Sequence, residues 1–395
     1  MKFFSPQDII FDKDRRLKKL GGHNLIIHCH HYNARLQNTI WNNTAIHGKH
    51  IWKSSAKIVF SDLLRNLKKE KNIHNNLSFI QMAEELYCFL GFGTLNIHDK
   101  FDSEATSENS HYVKGWSCGS LKREGCVCAF TESFIESVYH LLEKNITCTE
   151  QKCMNEDHQI FCLFQIKNNS IYESQENLSS YKVDKKLCDL DCEQTSNIDK
   201  ETIITAVSEM PIIGGEQGLI PAFNVYLANM PQDFYNLLSI RFIDELNKIG
   251  LADIGAQMLY EDAEHCALNT FGGILHSDEW AGLIAPMVQK DEDIIHGLIA
   301  VSNALGWGII HILNHTAGKS LTLQSNNSYE SFGYLKLKGH SSHQPRCFML
   351  SGVSAGLMAL VYEKGEFEDR VGLYHGSETQ CSAADNNLCL FQVKE

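Results

Sequence analysis

The sequence predicts a mixed α/β chain of the α+β type: two similar domains, each an antiparallel sheet packed with helices, forming an internal pseudo-dimer. Three observations lead there. Each half ends on the same pattern, with Glu150, Cys153 and Cys162-Leu-Phe-Gln-Ile in the first and Glu378, Cys381 and Cys389-Leu-Phe-Gln-Val in the second. The offset is 228 residues for the first two positions and 227 for the third. Upstream, further segments match at offsets that climb gradually, as small loop insertions require. Finally, strand-like and helix-like segments follow one another in the same order in both halves.

The elements can be justified in turn. His23-Asn-Leu-Ile-Ile-His28 aligns with Phe223-Asn-Val-Tyr-Leu-Ala228 at an offset of 200, and both read as short β-rich starts, at 25–29 and 225–227. Phe60-Ser-Asp-Leu-Leu64 pairs with Phe271-Gly-Gly-Ile-Leu275 at 211. Apolar residues at helical spacing mark helices over 78–90 and 293–305. Leu90-Gly-Phe-Gly93 and Leu305-Gly-Trp-Gly308, 215 apart, stop those helices and open strands at 94–97 and 309–313, as glycine does at a helix C-terminus. A further helix, 130–144 or 350–364 at an offset of 220, precedes the hairpin that carries the glutamate and two cysteines. The domains therefore span 1–168 and 206–395. Between them, 169–205 is polar and rich in Asn, Ser, Glu and Asp, and reads as a linker with little core of its own.

Composition bounds the function. At 395 residues, with 43% hydrophobic and 21% charged side chains, the chain has enough apolar content for two cores and no run approaching the roughly 20 residues of a membrane span. A net charge of -13 argues against a general nucleic-acid binder. The start, Met-Lys-Phe-Phe-Ser-Pro, lacks a signal-peptide pattern, so a cytoplasmic protein with reduced cysteines is expected.

Glutamate and cysteine at these spacings point to metal. A zinc-like site needs about four converging soft or borderline ligands. Glu378 and Cys381 can meet across a turn, Cys389 can return on the paired strand, and Cys347, just before the 350s helix, can supply the fourth. In the first half Glu150, Cys153 and Cys162 match, but the position aligned with Cys347 is Val127. Its neighbours Cys126 and Cys128 share a strand face and either can serve after a one-residue shift, with Cys126 preferred. Both sites, filled by protein on all sides, would be structural.

At these residues the chain resembles the 4-vinyl-reductase domain family, including the aromatic-sensing domains of phenol-responsive bacterial activators. Cys347-Phe-Met-Leu-Ser-Gly-Val-Ser-Ala-Gly356, Glu378, Cys381 and Cys389 reproduce the order of that family's structural zinc site, including its final eight-residue spacing; Glu366 to Arg370 departs from it as an insertion. The resemblance implies two structural zinc ions and a small hydrophobic or aromatic ligand, with Phe60, Phe92, Phe271, Trp280 and Trp307 near its pocket. The signal would then pass to a separate protein partner or a homodimer.

Two other readings stand beside it. His28, His30 and His31 lie in a dense cluster that the second half lacks, and two imidazoles on one strand face would start a catalytic metal site, with iron a candidate. That makes the chain a metal-dependent enzyme, although no nicotinamide-binding fingerprint accompanies it. The third reading is a scaffold related to vesicle-tethering proteins of the same general fold.

Overall fold

A computed structural model describes residues 2–97, 103–118, 121, 123, 125–156, 158–169, 177–183 and 185–395. The first half runs β1 (Ile10–Asp12), β2 (Leu17–Leu20), β3 (His23–Cys29), α1 (His30–Trp41), α2 (Gly48–Glu70), α3 (Asn76–Phe89), β4 (Asn96–Ile97), β5 (Glu104–Ser107), α4 (His111–Cys118), α5 (Ala129–Leu141), β6 (Ile146–Lys152) and β7 (Cys162–Asn168). The second half begins with α6 (Lys200–Glu209), β8 (Ile220–Ala222), β9 (Val225–Pro231), α7 (Gln232–Asn247), α8 (Ala252–Cys266), α9 (Gly272–Leu275), α10 (Asp278–Leu283) and α11 (Asp291–Ala304). It closes with β10 (Ile310–Thr316), β11 (Ser320–Ser325), α12 (Tyr329–Lys338), α13 (Phe348–Tyr362), α14 (Phe367–Arg370), β12 (His375–Gln380) and β13 (Cys389–Lys394). The class is the expected one, helices packed on antiparallel sheets.

Two four-stranded sheets each belong to one half, in the orders β4-β5-β7-β6 and β10-β11-β13-β12. The third, β1-β2-β3-β9-β8, draws on both. At its centre β3 runs antiparallel to β9 with His28 opposite Ala228, its own counterpart in the aligned sequences. An antiparallel pair in which a residue faces its counterpart has the symmetry of a two-fold axis through that point.

The halves interlock around this axis. Asn229 N–H donates to Leu90 O at 2.8 Å, and Ile27 N–H donates to Leu305 O at 3.2 Å. Each helix-ending turn therefore docks on the other half's strand. Glycine is required there: at Gly306, with φ +92°, an added Cβ would sit 2.6 Å from Leu25 O, and at Gly91, also at +92°, 2.8 Å from Leu227 O. Asn75 caps α3 by accepting from Ser78 N–H at 2.8 Å, and Asp293 Oδ2 accepts from Gln289 and Lys290 N–H at the start of α11.

One pairing of repeats differs in form. Phe60 lies within the 23-residue α2, whereas Phe271 ends a π-helical stretch, Ala267–Phe271, that separates α8 from α9. Around these, α2 packs on α5 and α8 on α13.

The segment expected as a linker is a strap. Residues 170–176 and 184 of it lie outside the described residues. Tyr181 N–H donates to Lys336 O at 2.8 Å, Asp191 N–H to Gln324 Oε1 at 2.9 Å and Gln194 N–H to Ile312 O at 2.8 Å, which ties it to the second half. Helix α6 begins inside that expected linker, because Asp199 accepts from Thr202 N–H and fixes a helix start at Lys200. Among the described residues no helix is long and apolar enough to cross a membrane.

Candidate metal centres

The hairpin at the end of each half has to bring a glutamate and a cysteine three residues apart onto one face, although a regular strand alternates faces with period two. A bulge resolves this. The β6/β7 register slips between Glu150 and Lys152, and the β12/β13 register slips between Glu378 and Gln380. One extra residue on the bulged strand converts a three-residue spacing into a same-face pair. Cys162 and Cys389 open the returning strands, and Cys128 and Cys347 occupy the N-caps of α5 and α13.

Two clusters result, Cys128, Glu150, Cys153 and Cys162 in the first half and Cys347, Glu378, Cys381 and Cys389 in the second. All eight residues are buried, and within each cluster one atom per residue lies within 4.8 Å of the other three. The sulfur separations are 3.8 Å for Cys128–Cys162, 3.9 Å for Cys153–Cys162 and 3.7 Å for Cys347–Cys389. Disulfides need about 2.05 Å, so these are separate thiols.

Each carboxylate is half satisfied. Glu150 Oε2 accepts from Cys128 N–H at 2.8 Å and Glu378 Oε2 from Cys347 N–H at 2.9 Å. Their Oε1 atoms are buried with no hydrogen-bond partner. Burial pushes the Glu150 carboxyl up to about 9 and that of Glu378 to about 8. Burial also raises Cys128 and Cys347, while Cys381 is drawn down to about 5 by donation from Cys347 and Cys389. Concentrating acidic groups around a buried point is costly without a cation among them. An orphaned carboxylate oxygen beside three convergent sulfurs therefore fits a metal ion: either cluster can hold one.

The expected set is met in the second half, where Cys347, Glu378, Cys381 and Cys389 come together. In the first, the structure brings in Cys128 instead of Cys126. The half-buried Cys126 sulfur donates to Glu150 O at 3.6 Å, outside the cluster. The reason is a helix start: α5 and α13 begin 219 residues apart, not 220, so Cys128 is the counterpart of Cys347. Sequence reasoning also missed Ser110 and Ser328, whose hydroxyls lie 3.4 Å from the Cys128 sulfur and 3.2 Å from the Cys347 sulfur. Their offset of 218 was a usable signal.

The histidines do not assemble as expected. Strand β3 ends at Cys29 and His30 begins α1, so His28 and His30 share no strand face. His28 is wedged against Tyr32, Tyr235 and Trp307 at ring distances of 4.5, 4.8 and 5.0 Å, and burial drives its pKa down to about 3. His30 turns its Nδ1 toward Tyr226 N, 3.1 Å away, with His31 beside it. Among the described residues, no metal-holding group includes His28, His30 or His31.

The five aromatic residues expected near a pocket fill their own space. Phe60 meets Phe92 edge-on at 5.8 Å and 77°, and their counterparts Phe271 and Trp307 meet at 6.0 Å and 74°. Trp280 is buried against Gly297.

No known protein family matches the sequence, and no curated protein matches it. Among solved structures the chain is similar to the phenol-responsive sensory domain of the transcription activator PoxR, determined with phenol. The identity is 12%, the TM-score 0.32, and the match covers 42% of this chain and 76% of that one.

Proposed function

We propose that this chain is a small-molecule-binding protein of the sensor type, built from one domain duplicated over 1–168 and 206–395 and joined by 169–205, with a structural zinc ion in each copy. One observation carries the metal assignment. With Zn–S bonds of about 2.3 Å, a tetrahedral site has sulfur–sulfur edges of about 3.8 Å, and the three separations here are 3.7, 3.8 and 3.9 Å. Cys128, Glu150, Cys153 and Cys162 would hold one ion, and Cys347, Glu378, Cys381 and Cys389 the other.

Four protein ligands leave no position for water or substrate, which supports a structural role over a catalytic one. The free cysteines suit a reducing, cytoplasmic setting. The resemblance of the cysteine-bearing segments to aromatic-sensing domains supports a hydrophobic or aromatic ligand, and a partly open cavity of about 250 Å³ offers room for one.

Native mass spectrometry of the chain purified from its producing cells tests both parts. The expected spectrum has two zinc ions per chain and a small organic adduct that leaves on denaturation. A chain carrying neither, yet folded, contradicts the reading.

A further inference from the structure

We infer that the cavity beneath the strap binds a small organic anion with a single apolar ring, an inference that rests on the small-molecule reading above. The cavity has a volume of about 250 Å³. That lies just below the roughly 300–1,000 Å³ of pockets for drug-sized ligands, which suits one ring with a short polar substituent. It sits where the halves meet. Its walls come from β2 and β3 of the first half and α7 and α12 of the second, and the strap forms its roof through Tyr181, Val183, Lys185 and Leu187.

The lining gives the ligand class. Leu17, Val183, Leu187, Tyr329 and Phe332 provide an apolar box for the ring. Arg15, Lys185 and Lys336 face one carboxylate, Asp233. That carboxylate is already met by Lys336 at 2.7 Å and by His23 at 3.2 Å. Lys185 donates to the carbonyls of Ser382 and Asn386, and the exposed Arg15 at the mouth forms no close ion pair among the described residues, with Asp12 as its electrostatic neighbour. In a chain of net charge -13 this lining reverses the local sign, and a cleft of one sign concentrates ligands of the other.

The two-fold relation sharpens the point. The corresponding place between α1, α4 and β9 carries a different set of side chains. His30 lies 3.9 Å from His31 and 5.5 Å from Tyr226, and Lys114 covers Tyr226 at 5.3 Å. The first half thus sets histidines where the second has Met230 and Pro231, and only the second-half site is roofed by the strap.

The test titrates the full zinc-loaded chain with benzoate and phenylacetate against their neutral analogues benzamide and phenylacetamide, by calorimetry. The carboxylates should bind at least about tenfold more tightly than the amides. Arg15→Gln, at an exposed position, should weaken them about tenfold, and Val183→Trp, which fills the cavity, should abolish binding, both with unchanged melting temperature. Amides that bind equally well, carboxylate binding that survives both substitutions, or no carboxylate binding tighter than about 1 mM would overturn the site. If neutral phenols then bind the Val183→Trp chain, the small-molecule reading stands without this cavity. If no probe of either class binds, both fall.

Discussion

Replacing Gly306 with alanine should destabilise the protein far more than the same change at Gly250, and the difference measures how the halves lock. Both glycines have positive φ, +92° and +74°. An alanine there pays a conformational cost of about 1–2 kcal/mol. At Gly250 nothing lies within 4 Å of the added Cβ, so that cost is the whole effect. At Gly306 the Cβ would also stand 2.6 Å from Leu25 O, a backbone atom of β3 in the other half. A carbonyl in the central sheet cannot swing aside, and overpacking of this kind adds about 1–3 kcal/mol. Gly306→Ala should therefore cost about 2–5 kcal/mol in total. Urea unfolding of the zinc-loaded chain, with midpoints compared at constant m, reads it out. If the two variants agree within about 0.5 kcal/mol, the turn does not dock as described.

Three further outcomes are expected. Tyr235→Phe removes the 2.6 Å bond to Asn33 Oδ1 across the halves and leaves a buried acceptor, costing about 1–3 kcal/mol by urea unfolding. His23 bridges Asp62 and Asp233; burial lowers its pKa, but the two carboxylates outweigh burial and the net shift is upward. A raised pKa gives stability that is present below the ordinary histidine value and lost as pH rises through the folded one. His23→Gln should thus cost more stability at pH 6 than at pH 8, and equal losses would remove the bridge from the account. Cys128→Ser should lower the zinc content by one ion per chain while Cys126→Ser leaves it unchanged, as measured by atomic emission.

The two Cys/Glu clusters were largely legible in the sequence because their residues recur in order, and glutamate with cysteine at a fixed spacing is a chemical pattern as well as a repeat. The bulge was not anticipated: Glu378 and Cys381 were expected to meet across a turn, whereas the register slip after Glu378 is what lets residues three apart share a face. Cys128 was misassigned because helices have weak register in sequence: aligning 130–144 with 350–364 placed Val127 against Cys347, and only the N-caps fix the phase. The histidines were misread by one residue of strand length, since the change from period 2 to period 3.6 at His30 leaves no mark among four adjacent polar or small side chains. Phe60 and Phe92 showed that they were apolar and near a turn, but not that they would close on each other. The shared central sheet and the strap were hidden for another reason. Both depend on backbone bonds between distant segments, such as Asn229 to Leu90 and Gln194 to Ile312, and local periodicity does not encode those.

The central claim is that each half is clasped by its own Cys/Glu zinc site, and the direct measurement is metal content with melting temperature in the wild type, Cys153→Ser, Cys381→Ser and the double variant. The account predicts two zinc ions, one, one and none, with a stepwise fall in melting temperature. A metal-free wild-type chain whose melting temperature matches that of the double variant would contradict it.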